Sequence, residues 1–185
     1  MKEKYYDKDG NEIPHWSLAH ISDEEMSRYK AVEHIEEAWE VVKSAFPKKD
    51  LIELASTDVF HRAIWYASTV ILPKLEVQVV IDANGKAFAS TGSAGYVDYS
   101  INPIKAGMKL PVACWIHTHP FGSAYFSGTD IRTVSIYQPM MKSAIVLGGK
   151  GHYGVWTQAF SKQLRIYRDY RFDRIQSWAK KEEEE

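Results

Sequence analysis

The segment 110–119 constrains this chain most. Its centre, Pro111-Val-Ala-Cys-Trp-Ile116, is an apolar run of strand length, and Pro120 stops it. Such a run suits a strand buried inside a sheet, and a buried strand needs other elements to cover it. Helix-period and strand-length segments lie on both sides of it in the sequence, so the expected fold is α/β: a single domain with a curved mixed β-sheet flanked by helices.

Upstream, Asp9-Gly10-Asn11 is a hairpin-turn signal. Ser22 and Glu25 have capping-box spacing. Val32, Ile35, Ala38/Trp39, Val42 and Ala45/Phe46 then keep helical period up to Pro47, opposite a face of Glu33, Glu36, Glu37 and Glu40. Residues 51–54 read as a short strand. Ser56-Thr57-Asp58 offers N-caps for a second helix, with the stripe Val59/Phe60, Ala63/Ile64, Tyr66/Ala67 and Val70/Ile71, ended by Pro73. Residues 77–81 and 86–90 around Ala83-Asn84-Gly85 make a hairpin, and another strand is expected around 96–101. A helix is expected over 127–137, then a second hairpin of 144–147 with 153–156 across a glycine-rich turn. The C-terminal stretch fits alternation (Leu164, Ile166, Tyr170, Phe172) and also helical period (Leu164, Tyr167, Ile175, Trp178); strand first, then helix is favoured.

Composition excludes several classes. With 45% hydrophobic and 25% charged residues, the chain can bury a core, so whole-chain disorder is excluded. A net charge of -1 argues against a general polyanion binder, and no nucleic-acid partner is expected. No apolar run approaches the roughly 18 residues that span a bilayer, and the N-terminus lacks a secretory apolar region. The expected setting is cytoplasmic, without a membrane. One cysteine, Cys114, can form neither an internal disulfide nor a multi-cysteine zinc site. Asp7, Asp9 and Asn11 begin like a calcium loop, but Glu12 stands where its glycine is needed and Leu18 where its glutamate is needed.

The chemistry concentrates in His117-Thr-His-Pro-Phe-Gly-Ser-Ala-Tyr-Phe-Ser-Gly-Thr-Asp130. On a strand, residues i and i+2 share a face, so His117 and His119 project side by side where Pro120 ends the ladder. Neutral imidazoles are favoured zinc ligands, and an open catalytic site needs a third protein group. Asp130 suits that role because the first turn of a helix favours an ionised carboxylate. Taken singly, each piece has an ordinary explanation. A lone His-x-His is usually two hydrogen-bonded core histidines, and Ser127-x-x-Asp130 alone is a capping pair. The combination, with a proline directly after the second histidine, points to a metal site.

These residues resemble the JAMM (JAB/MPN domain) zinc metalloproteases. His117, His119, Pro120, Ser127 and Asp130 match that family's His-x-His-Pro and Ser-x-x-Asp motif, with seven residues between His119 and Ser127. The resemblance covers about residues 51–160 and implies a cytidine-deaminase-like layering. It makes residues 1–50 an N-terminal helical extension and 161–185 a C-terminal strand, helix and acidic tail. It implies Zn2+ on His117, His119 and Asp130, with Ser127 donating to the developing oxyanion. It also implies a catalytic glutamate upstream. Glu76, at the head of the 77–81 strand and 41 residues before His117, has that layout. Two departures accompany it: the proline-to-glutamate spacing is one residue long, and Val77-Gln78 replaces the common Cys-Gly. Glu53 is the rival. The implied activity is amide or isopeptide hydrolysis on a protein or peptide substrate, with ubiquitin-like modifier conjugates as the implied class.

Two alternatives stay open on sequence alone: a non-catalytic MPN-like assembly scaffold, and a RadC-like protein of other activity. A zinc deaminase is excluded because it needs a cysteine pair. His15, His20, His34, His61 and His152 lack partners at ligand spacing and are expected at the surface or as caps. Phe121, Tyr125 and Phe126 either line a peptide groove or close over the core. Seven basic residues against two acidic ones give 162–181 a net +5, expected as a solvated face or as a docking surface for an acidic partner.

Overall fold

The computed structural model describes residues 5–6, 11–13, 22–92, 107–158 and 160–167. The elements in chain order are β1 (Tyr5–Tyr6), β2 (Glu12–Ile13), α1 (Asp23–Ala45), α2 (Leu51–Ala55), α3 (Asp58–Tyr66), β3 (Val77–Ile81), β4 (Ala87–Thr91), β5 (Cys114–His119), α4 (Gly128–Tyr137), β6 (Ser143–Gly148), β7 (His152–Thr157) and β8 (Phe160–Tyr167). β1 and β2 pair antiparallel, while Asp9 and Gly10 of the expected turn lie outside the described residues. The other six strands form one mixed sheet in the order β4-β3-β5-β6-β7-β8, in which only β5 and β6 run parallel. Helices flank it, as α/β requires.

The apolar run behaves as its composition demands. From Cys114 to Thr118 every residue of β5 is buried, and its alternate side chains serve two cores. On one face Cys114 and Ile116 join Val79, Ile81, Ile145, Leu147 and the buried stripe of α1 (Ala31, Ile35, Trp39, Val42) with Phe60 and Ile64 of α3. On the other, Trp115 joins Val80, Phe126, Val134, Ala144 and Val146, so α4 crosses this second face between β5 and β6. Trp39 also donates its indole N–H to the Gly85 carbonyl at 2.7 Å, tying α1 to the β3–β4 turn. Gly85 adopts φ +77°, a conformation glycine reaches without penalty. α1 is therefore built into the main core.

One element is corrected. Residues 51–54 are not a strand but the start of α2. Asp50 accepts the Glu53 amide at 2.8 Å while Glu53 accepts the Asp50 amide at 3.2 Å, a reciprocal box that opens a helix. Four apolar-rich residues carry too little period to separate the two states, so the cap decided. The second helix also ends differently. α3 gives way to one π-helical turn, Ala67–Ile71, closed by the Leu72 amide on the Ala67 carbonyl at 3.0 Å. The strand expected around 96–101 and the C-terminal helix lie outside the described residues, whereas β8 occupies the place of the favoured C-terminal strand.

Candidate metal centre

β5 carries the histidines to the sheet's second face. His117 pairs across β3 with Gln78 and across β6 with Val146, so its backbone is held on both sides. Its ring stacks on Trp115, two residues earlier on the same face, at 4.6 Å between centroids and 15° between planes. His117 is buried, its Nδ1 meets no hydrogen-bond partner among the described residues, and so stacking sets the ring's direction. His119 is oriented differently: its Nδ1–H donates to the Ser123 carbonyl at 3.2 Å, which leaves the lone pair of the neutral ring on Nε2.

Asp130 completes the group from the first turn of α4. Its Oδ2 accepts the Ser127 amide at 2.7 Å, and Ser127 Oγ accepts the Asp130 amide at 3.2 Å, so the capping pair forms in full. The same carboxylate then turns its other lone pairs on the histidines. Oδ1 lies 3.1 Å from His117 Nε2 and Oδ2 lies 3.5 Å from His119 Nε2, while the two Nε2 atoms are 3.2 Å apart. Capping and ligand geometry are compatible here because a carboxylate has two oxygens.

Those separations test the fit to a cation. A tetrahedral ion with bonds of about 2.1 Å holds its ligand atoms about 3.4 Å apart. The observed contacts of 3.1, 3.2 and 3.5 Å lie near that edge, with the carboxylate presenting Oδ1 to His117 and Oδ2 to His119. Among the described residues, His117, His119 and Asp130 form a group whose ligand atoms lie within 4.8 Å of one another, sufficient to hold a metal ion. Two neutral nitrogens and one carboxylate oxygen form a donor set suited to a divalent first-row metal.

The electrostatics separate the two rings. Burial pushes His117 below the ordinary histidine range, against the pull of Asp130, and so keeps it neutral. Burial works against protonation of His119 too, but the Asp130 carboxylate, the Ser123 carbonyl and Glu76 outweigh it and raise that ring. Asp130 is itself opposed by burial, yet its interactions with both histidines and with Ser127 hold it far below the usual carboxylate range.

Glu76 sits at the head of β3, 7% exposed. Burial raises its carboxyl, His119 lowers it and Asp130 raises it again, so the group lies within electrostatic reach of the triad. Its rival Glu53 is exposed and occupied in the α2 cap. Of the three aromatics, Phe126 is buried in the second core and edges onto His117, Tyr125 (42% exposed) lies edge-on to His119, and Phe121 (65% exposed) carries the Lys74 ammonium over its ring. His61, expected at the surface or as a cap, is fully buried with Nε2 on the Ala55 carbonyl at 2.8 Å.

The loop between β5 and α4 is seated by glycine. Gly149 donates to the Gly122 carbonyl at 2.8 Å, and a Cβ built on Gly148 would come 2.7 Å from Ala124 Cα. Only a bare backbone lets β6 approach the segment whose Ser123 carbonyl orients His119. Neither Ser123 nor Gly148 carries a sequence signal for this role, because both act through backbone.

A scan against protein-family models finds no match, and a search of curated proteins finds no relative. Among the described residues, no helix is long and apolar enough to cross a membrane.

Proposed function

We propose that this protein is a zinc-dependent metallo(iso)peptidase of the JAMM type, acting on amide or isopeptide bonds, with the C-terminus of a ubiquitin-like modifier as the substrate class. The observation that carries this reading is the convergence of ligand atoms from His117, His119 and Asp130 within 4.8 Å of one another, with the buried Glu76 carboxyl in electrostatic reach of His119 and Asp130. Bound there, zinc would supply an acidified water near neutral pH and polarisation of the scissile carbonyl.

The chain's own residues divide the remaining work. Glu76, with its carboxyl raised by burial, takes a proton from the attacking water and returns it to the leaving amine. Ser127 accepts the Asp130 amide, which leaves its hydroxyl proton free to donate to the oxyanion. Tyr125, exposed and edge-on to His119, and the exposed Phe121 ring of the same loop offer apolar surface for an extended peptide.

The test is metal analysis of the purified chain together with a panel of ubiquitin-like C-terminal fusions, with and without chelator. About one zinc per chain and chelator-sensitive cleavage are expected. A chain that binds zinc yet cleaves no amide on the panel would remove the peptidase reading and leave the metal centre.

A further inference from the structure

The residue between the two histidines is Thr118, and its hydroxyl lies on the face of β5 opposite the triad. There Oγ1 accepts the Val77 amide at 3.0 Å and pairs with Ser68 Oγ at 2.8 Å. Ser68 Oγ in turn donates to the Leu75 carbonyl at 2.6 Å. Each hydroxyl has a single proton, so one direction satisfies all three contacts. Val77 N–H donates to Thr118 Oγ1, Thr118 O–H to Ser68 Oγ, and Ser68 O–H to the Leu75 carbonyl.

Both ends of this chain fall on the peptide groups that flank Glu76. The Leu75 carbonyl belongs to the peptide before Glu76, and the Val77 amide belongs to the peptide after it. The Glu76 carbonyl also accepts the Gly92 amide at 2.7 Å. With the peptide planes held on both sides of its Cα, the Cα–Cβ bond of Glu76 has one direction. Regular pairing of β3 with β5 ends at Gln78 and His117, so beyond that point the Thr118 side chain substitutes for the backbone ladder. Ser68 and Thr118 are both fully buried, which removes water as a competitor for these bonds. Ser68 reaches the site because it stands in the π-helical turn 67–71.

We infer that Ser68 and Thr118 are positioning residues whose hydroxyl chain fixes the backbone of Glu76 beside the His117/His119/Asp130 triad. The inference rests on the reading of Glu76 as the base. It also assigns a purpose to the residue between the histidines: one strand presents ligands on one face and anchors the base from the other.

The experiment compares the full-length, zinc-loaded protein with Thr118→Val, Thr118→Ser and Ser68→Ala. Three quantities are measured: exchange of the Val77 amide by NMR, zinc affinity in competition with a chelator, and cleavage of a ubiquitin-like modifier bearing a C-terminal fluorogenic amide. Thr118→Val should speed Val77 exchange by about tenfold or more. Zinc affinity should stay within about threefold, because the metal ligands and their orienting contacts are untouched. Turnover should fall roughly 100-fold at unchanged KM, as expected for a displaced base. Thr118→Ser should restore each value, since serine keeps the hydroxyl. Unchanged Val77 exchange in Thr118→Val overturns the inference, and so does zinc affinity falling in step with exchange, which would make the hydroxyls a support for β5 alone. Should the valine variant fail to fold, Ser68→Ala breaks the same chain from a helical turn that accepts alanine. If the wild-type protein leaves the probe intact, the peptidase reading fails, while the exchange and zinc measurements still decide the positioning role.

Discussion

Asp130 Oδ1 lies 3.1 Å from His117 Nε2, although the two residues belong to different elements and face each other across the mouth of the sheet. The contact depends on α4 starting where it does, and Ser127 fixes that start through its reciprocal hydrogen bonds with Asp130. A helix cap thus doubles as the device that aims a carboxylate able to hold a metal ion.

Replacing any one of His117, His119 or Asp130 by alanine should lower zinc affinity by about 100-fold or more, because an open site has only three protein ligands to share. Chelator competition measures this directly. Asp130→Ala should also lose about 1 kcal/mol of stability through the broken cap, visible as a lower Tm than that of His119→Ala in the metal-free state.

Glu76→Gln should keep zinc bound and reduce turnover by roughly 100- to 10,000-fold, the range for losing a general base. Metal content and steady-state kinetics on the same sample separate the two effects. Retained turnover would move the base role elsewhere.

Gly148→Ala should weaken zinc binding by about 10- to 100-fold, since Gly148 pairs with His119 in the β5–β6 ladder and the added methyl displaces the backbone carrying the Ser123 carbonyl. A titration with zinc that matches the wild type would show that the loop can yield without disturbing His119.

Cys114 is completely buried, and burial pushes its thiol up to about 12 despite the help of Ser143. Native protein should therefore resist a thiol-specific reagent at pH 8 and react only on unfolding. The linkage has a definite sign. Above the ordinary thiol pKa the unfolded chain releases this proton while the native chain keeps it, so this group lowers stability as pH rises from about 9 towards 12. Cys114→Ala should flatten that part of the stability curve.

Trp39→Ala should cost about 3–5 kcal/mol, the sum of a large buried side chain and a carbonyl at Gly85 left without its donor. Denaturant unfolding measures it. A loss below about 1 kcal/mol would mean that α1 is a detachable accessory.

Much of the architecture was legible because it rests on local chemistry. The stripe of α1, the β3–β4 hairpin and the buried β5 run each announce themselves through period, caps and turn residues; α1 and the hairpin formed within a residue or two of their expected bounds, whereas β5 starts at Cys114, four residues into the expected 110–119 run, and ends at His119 as expected. Residues 51–54 misled because four residues support both periods, and the Asp50–Glu53 box that settles the matter is a side-chain contact. The π-helical turn after α3 had no signal of its own. Yet it is what brings Ser68 to Thr118.

The candidate site divides along the same line. Spacing alone determined that His117 and His119 share a face and that Ser127 caps the helix bearing Asp130, because strand alternation and helix capping act over a few residues. Tertiary structure decided which glutamate stands near them, which backbone carbonyl turns His119, and which hydroxyls grip the chain around Glu76. Ser68 and Thr118 alone are 50 residues apart in sequence, and no local period carries information about atoms that meet only when β3 is laid against β5.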